Sequence, residues 1–130
     1  MKFVVSMTDR IGTLRQLVDL WDELGDERNP FAQTIFTPMF AKPEVLQLMQ
    51  AEIQRRGEVF FDSGGYYVQQ GLKSYESLYQ DLMKFYQENE WGSWYVLPDY
   101  VPTSSLSPAE VEERVQATIT VSRLFFDDMP

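Results

Sequence analysis

The sequence contains neither cysteine nor histidine. Without thiols there is no disulfide, no thiol nucleophile and no thiolate metal ligand. Without imidazole there is no histidine base, no Ser-His-Asp arrangement and none of the commonest zinc ligand. Chemistry in this chain therefore runs on carboxylates, hydroxyls, amides, Lys or Arg. Also missing is an apolar run of the roughly 18 residues that would cross a bilayer, and the opening MKFVVSMTDR lacks the apolar stretch of a secretory signal. These absences predict a cytoplasmic protein with no membrane contact. Basic residues are scarce: 11 Lys and Arg stand against 20 Asp and Glu, a net charge of −9. That balance argues against a broad basic face that grips nucleic-acid phosphates, although an acidic chain can still act on nucleic acid through a local patch or a partner.

The 130 residues suit one domain, and a hydrophobic fraction of 44% is enough to build a buried core. Short apolar runs alternate with helical periodicity. Phe3-Val4-Val5 reads as a first strand. Ile11, Leu14, Leu17, Val18, Trp21 and Leu24 recur at helical spacing, with Gly25 where a C-cap falls. A polar loop is expected over 26–31, a short strand over 34–37, and a second helix from Pro43 through Val45, Leu46, Met49 and Ile53. Glu58-Val59-Phe60-Phe61 reads as a buried strand, and Tyr75, Leu78, Tyr79, Leu82, Met83 and Tyr86 as the core face of a helix. Trp94-Tyr95-Val96-Leu97 reads as a further strand. Ser107-Pro108-Ala109-Glu110 is a capping box opening a long helix, with Val111, Val115, Ile119 and Phe126 on a shared side. Arg55-Arg56, the only tight basic pair, reads as solvated, with phosphate binding as the lesser reading. Strands alternating with helices predict an α/β fold built from parallel βαβ units.

In such folds functional side chains follow the C-terminal ends of strands. Two places qualify: Asp62-Ser63-Gly64-Gly65-Tyr66-Tyr67 after VFF, and Pro98-Asp99-Tyr100 after WYVL. Paired glycines let backbone N–H groups approach a ligand closely, Ser63 adds a hydroxyl, and Tyr66 adds a flat face that stacks on a ring. With Asp62 for proton transfer and Asp99 to accept from ring N–H and amine groups, the set suits a purine-like base. On these residues alone, DSGG also reads as a turn whose Asp and Ser cap backbone N–H groups, and Asp99 as a loop-capping residue. Both readings stay open.

The run FFDSGGYYVQ, with the second Asp after the next strand and TIFTPMF upstream, resembles the tRNA-guanine transglycosylase family. The likeness spans about Thr34 to Phe126, and DNA 7-deazaguanine transglycosylases fit it as well as tRNA enzymes. It implies a partial (β/α)8 TIM-type barrel over residues 1–130 and a pentosyltransferase reaction exchanging guanine in nucleic acid for a 7-deazaguanine by double displacement. Carried over by position, Asp62 matches the general acid/base. Ser63, Gly64 and Gly65 match base-binding neighbours, Tyr66 the stacking aromatic, and Asp99 the reader of the guanine edge. Tyr67 stands where the family usually has Gln, and Val101 where its tRNA enzymes often carry Cys.

The family's nucleophilic Asp and its zinc ligands belong to a second half beyond these residues, so the resemblance implies no cofactor in this chain. A closed barrel takes about 250 residues. The expectation is therefore a base-recognising half, weak or inactive alone, whose contact with tRNA or DNA runs through the missing half or a partner in a hetero- or homo-oligomer. The rival expectations are a non-catalytic base-binding or partner subunit, and an unrelated small α/β binding domain.

Overall fold

In the computed structural model of this protein, which describes residues 3–25, 27 and 32–128, helices alternate with four parallel strands. In chain order the elements are β1 (Val5–Ser6), α1 (Ile11–Leu24), β2 (Gln33–Phe36), α2 (Pro43–Leu48), β3 (Glu58–Phe61), α3 (Gly65–Gln69), α4 (Tyr75–Glu88), β4 (Trp94–Tyr95) and α5 (Pro108–Asp128). The strand order β1-β2-β3-β4 follows the sequence without reversal, and β1 and β4 are the edges. The chain forms two compact units, Met1–Asp62 with Trp91–Val96 and Ser63–Glu90 with Leu97–Pro130. The loop expected over 26–31 lies outside the described residues except for Glu27. Among the described residues, no helix is long and apolar enough to cross a membrane.

The first unit holds the sheet. β2 and β3 alternate in burial, and their register sets Thr34 beside Val59 and Phe36 beside Phe61 on one buried face. An aromatic cluster closes that face: the Phe61 ring stands edge-on to Phe36 at 5.8 Å, Trp91 at 4.6 Å and Tyr95 at 5.2 Å. The strand expected over Phe3-Val4-Val5 starts later, at Val5, and Phe3 and Val4 are exposed. α1 buries Leu14, Val18 and Trp21 of the expected stripe, leaves Leu24 exposed, and ends where the Gly25 N–H reaches the Trp21 carbonyl at 3.0 Å.

After α2 the chain continues as a π-helical segment, Met49–Gln54. Val45, Met49 and Ile53 are all buried and recur every fourth residue, so one side of the continuous helix faces the core. Arg56 then departs from the solvated pair expected of Arg55-Arg56. Its guanidinium is 2.6 Å from Asp22 and 3.0 Å from Glu52, and it covers the Trp21 ring at 5.3 Å. It fastens the end of this helix to α1, while Arg55 pairs with Glu52 at 3.1 Å.

In the second unit, Ser74 caps α4 by accepting from the Ser77 N–H at 3.2 Å, and Tyr75, Leu78, Leu82 and Tyr86 form its buried stripe. The Ser107/Glu110 capping box opens α5 as expected, with Ser107 Oγ accepting from the Glu110 N–H at 3.3 Å. The buried side of α5 is not the expected one. Val121 and Phe125 are buried, whereas Val115, Ile119 and Phe126 are exposed. The rotation is fixed by two anchors. Phe125 packs against Tyr86 at 6.2 Å and Tyr79 at 6.4 Å, and Arg114 and Thr118, on the same side, make polar contacts described below.

Thr34 sits at the centre of the sheet, fully buried, and its Oγ1 has no hydrogen-bond partner among the described residues. A buried hydroxyl without a partner keeps its desolvation cost, about 1–3 kcal/mol, with nothing in return. Thr34→Val preserves the β-branched shape and is expected to stabilise the protein by about 1 kcal/mol, read as a higher urea midpoint at unchanged slope. A loss of stability would show that the hydroxyl is satisfied.

Candidate functional site

The backbone after β3 turns immediately. Gly64 has φ +77°, in the left-handed region that side chains resist, and leads into the single turn and a half of α3. This short helix is absent from the sequence expectation, because five residues are too few to show a period. Asp62 ends the first unit, its N–H donating to the Phe36 carbonyl at 2.8 Å, so it follows its strand directly as expected. Ser63, Gly64, Gly65, Tyr66 and Asp99 all belong to the second unit.

Within that unit the two expected motifs meet. The Ser63 hydroxyl donates to Asp99 Oδ1 at 3.1 Å across 36 positions of sequence, and Ser63 is buried. Gly65 lies against the same carboxylate: a Cβ there would fall 2.5 Å from Asp99 Oδ1 and 2.9 Å from the Asp99 carbonyl. The second glycine of DSGG is thus required by the approach of Asp99. The Gly65 N–H donates to Ser63 Oγ at 3.3 Å. The Ser63 hydroxyl thus accepts from this amide and donates to Asp99. Tyr66 is exposed, with its hydroxyl accepting from Gln70 Nε2 at 2.6 Å and its ring presented outward.

Asp99 does not stand at a strand end as expected. β4 stops at Tyr95; one more sheet bond, Val96 N–H to the Phe61 carbonyl at 2.8 Å, follows before the strand character is lost. Pro98 has no N–H to continue the ladder. Asp99 lies instead in an irregular segment held by side chains. The Tyr75 hydroxyl donates to the Pro98 carbonyl at 3.0 Å, and the Tyr100 N–H donates to Thr118 Oγ1 at 2.8 Å. Arg114 donates to the Val101 carbonyl at 2.7 Å and lies 4.4 Å above the Tyr100 ring, whose other neighbour is the Tyr75 ring at 4.6 Å.

Tyr75, Arg114 and Thr118 did not stand out in the sequence as site residues, and Tyr100 did so only as part of the Pro98-Asp99-Tyr100 segment. Thr118 carried the one available signal: a β-branched hydroxyl in a helix interior, where Thr is disfavoured unless its oxygen is used. Burial holds the Tyr75 phenol above its ordinary pKa; the Thr118 hydroxyl opposes this by hydrogen bonding, and the Asp99 charge adds to it. Tyr75 therefore stays protonated as the donor to Pro98.

The sequence offers no Cys or His side chain as a metal donor. Comparison with protein-family models, with curated proteins and with solved structures returned no match.

The raised phenol pKa has a sign. Tyr75 is more readily kept protonated in the folded chain than in the unfolded one, so its contribution is fully present below pH of about 10 and is lost as pH rises through the higher folded-state value. Thermal melts between pH 9 and 11 are expected to show a smaller alkaline loss in Tyr75→Phe than in the unaltered chain. Identical alkaline profiles would remove Tyr75 as the responsible group.

Proposed function

We propose that the second unit binds a guanine-like base at Asp99, and that the chain serves as the base-recognising half of a transglycosylase-like enzyme. The observation that carries this reading is the Ser63–Asp99 hydrogen bond with Gly65 pressed against the carboxylate. It supports the view that Ser63–Gly65 and Asp99 form one site within the second unit, not two unrelated turns. A carboxylate has about four acceptor positions, and Ser63 occupies one. The remaining acceptors suit the adjacent ring N–H and exocyclic amine of guanine or a 7-deazaguanine, and Tyr66 offers a face for stacking.

Ser63 acts in this reading as the group that orients Asp99 and not as a direct base ligand. Asp62, one residue earlier, keeps the proton-transfer role that the resemblance implies. The in-order parallel sheet agrees with a barrel-type succession of strands. The net charge of −9 disfavours a broad phosphate-gripping face on this chain, so in this reading contact with tRNA or DNA runs through a partner.

A second reading has its own observation. The Gly65 N–H bond to Ser63 Oγ is what a serine-capped turn makes in any small α/β domain. Titration calorimetry separates the two. The base-binding reading expects 7-deazaguanine to bind the unaltered chain, adenine to bind far more weakly, and Asp99→Asn to lose about ten- to a hundredfold in affinity, the scale of a hydrogen bond to a charged group. No binding, or equal binding by Asp99→Asn, leaves only the turn.

A further inference from the structure

We infer that α5 is the element that positions the Asp99 carboxylate, with Thr118 and Arg114 as positioning residues. This rests on the base-binding reading above and deepens it. Once the sheet is left at Val96, the main chain has no ladder to hold it, and loops of this kind are ordinarily the mobile part of a fold. Here the backbone groups on both sides of Asp99 are taken by side chains. Thr118 takes the Tyr100 N–H at 2.8 Å, Arg114 takes the Val101 carbonyl at 2.7 Å, and Tyr75 holds the Pro98 carbonyl at 3.0 Å. Two of the three holds come from one helix.

Their chemistry separates positioning from mere packing. Docking a helix on a loop needs apolar area, which Leu or Val would supply at either place. Thr118 contributes a hydroxyl whose oxygen accepts from the Tyr100 N–H, which neither Leu nor Val could do. Arg114 spreads its plane over Tyr100 at 4.4 Å while donating to the next carbonyl, a pairing of stack and fork that Lys cannot reproduce. These contacts also account for the rotation of α5. The helix turns Arg114 and Thr118 toward the loop and leaves Val115 and Ile119 exposed. A carboxylate held before its ligand arrives loses less on binding than one that must be ordered then, which is the physical return on such tethers.

The test compares Thr118→Val and Thr118→Ser with the unaltered chain, reading amide hydrogen exchange at Tyr100, affinity for 7-deazaguanine and the urea midpoint. Thr118→Val keeps the shape and removes the acceptor. It is expected to speed exchange at Tyr100 by about tenfold or more while Leu78 and Leu82 amides hold, and to weaken 7-deazaguanine by about tenfold. Thr118→Ser is expected to restore both to within about twofold, and Arg114→Lys to weaken binding with little change in midpoint. Unchanged exchange at Tyr100, unchanged affinity in Thr118→Val, or acceleration shared equally by the core amides would overturn the inference. Failure of the unaltered chain to bind would overturn the base-binding reading. In that case selective acceleration at Tyr100 still upholds the hold of α5 on the loop, and its absence removes both.

Discussion

The approach of the Asp99 carboxylate to Gly65 is the constraint from which the arrangement of the second unit follows. Oδ1 accepts from the Ser63 hydroxyl and comes so near the Gly65 backbone that no side chain fits there. That single contact accounts for a glycine at 65, helps to explain the left-handed turn at Gly64 that delivers it, and fixes where the segment carrying Asp99 must run. The tethers to Pro98, Tyr100 and Val101 then hold that segment in place, and α5 takes the rotation that supplies two of them. Local chemistry and tertiary packing agree at each step, which is the mark of a chain that specifies one arrangement.

The first unit rests on a different kind of interaction. Its sheet is short, with two-residue strands at both edges, and rings and the ion-paired Arg56 add to its aliphatic core. Phe61 meets three aromatic neighbours, and Arg56 joins two carboxylates to the face of Trp21. A guanidinium over an indole is less costly to desolvate than a lone charge, because the ring replaces part of its hydration. The paired Arg55-Arg56 looks like a solvated patch in sequence because nothing local marks Asp22 and Trp21 as its partners; they arrive from a helix more than thirty positions earlier.

Much of the secondary structure was legible for a simple physical reason: each element carries its own period and its own stop signal. α1 with Gly25, the helix opened by Pro43, and α4 with the Tyr75–Tyr86 stripe are of this type, as are β3 and the capping box of α5. What could not be read depends on distant partners. The side of α5 that is buried is chosen by Phe125, Arg114 and Thr118 meeting groups elsewhere, whereas the apolar stripe through Val115 and Ile119 suggested the opposite rotation. β4 ends early because Pro98 interrupts the ladder, so Asp99 lies in a loop and not at a strand end. The meeting of DSGG with Asp99 was legible as an expectation of chemistry, but the means of holding Asp99 was not, since Tyr75 read simply as core.

The hydrogen bonds flanking Asp99 have a direction. The Tyr100 N–H donates to the Thr118 oxygen, and Tyr75 spends its own proton on the Pro98 carbonyl. A backbone carbonyl has no proton to pass on, so the Tyr75 hydroxyl cannot release its proton without breaking the contact that holds the loop. These bonds are fixed dipoles and not a conduit.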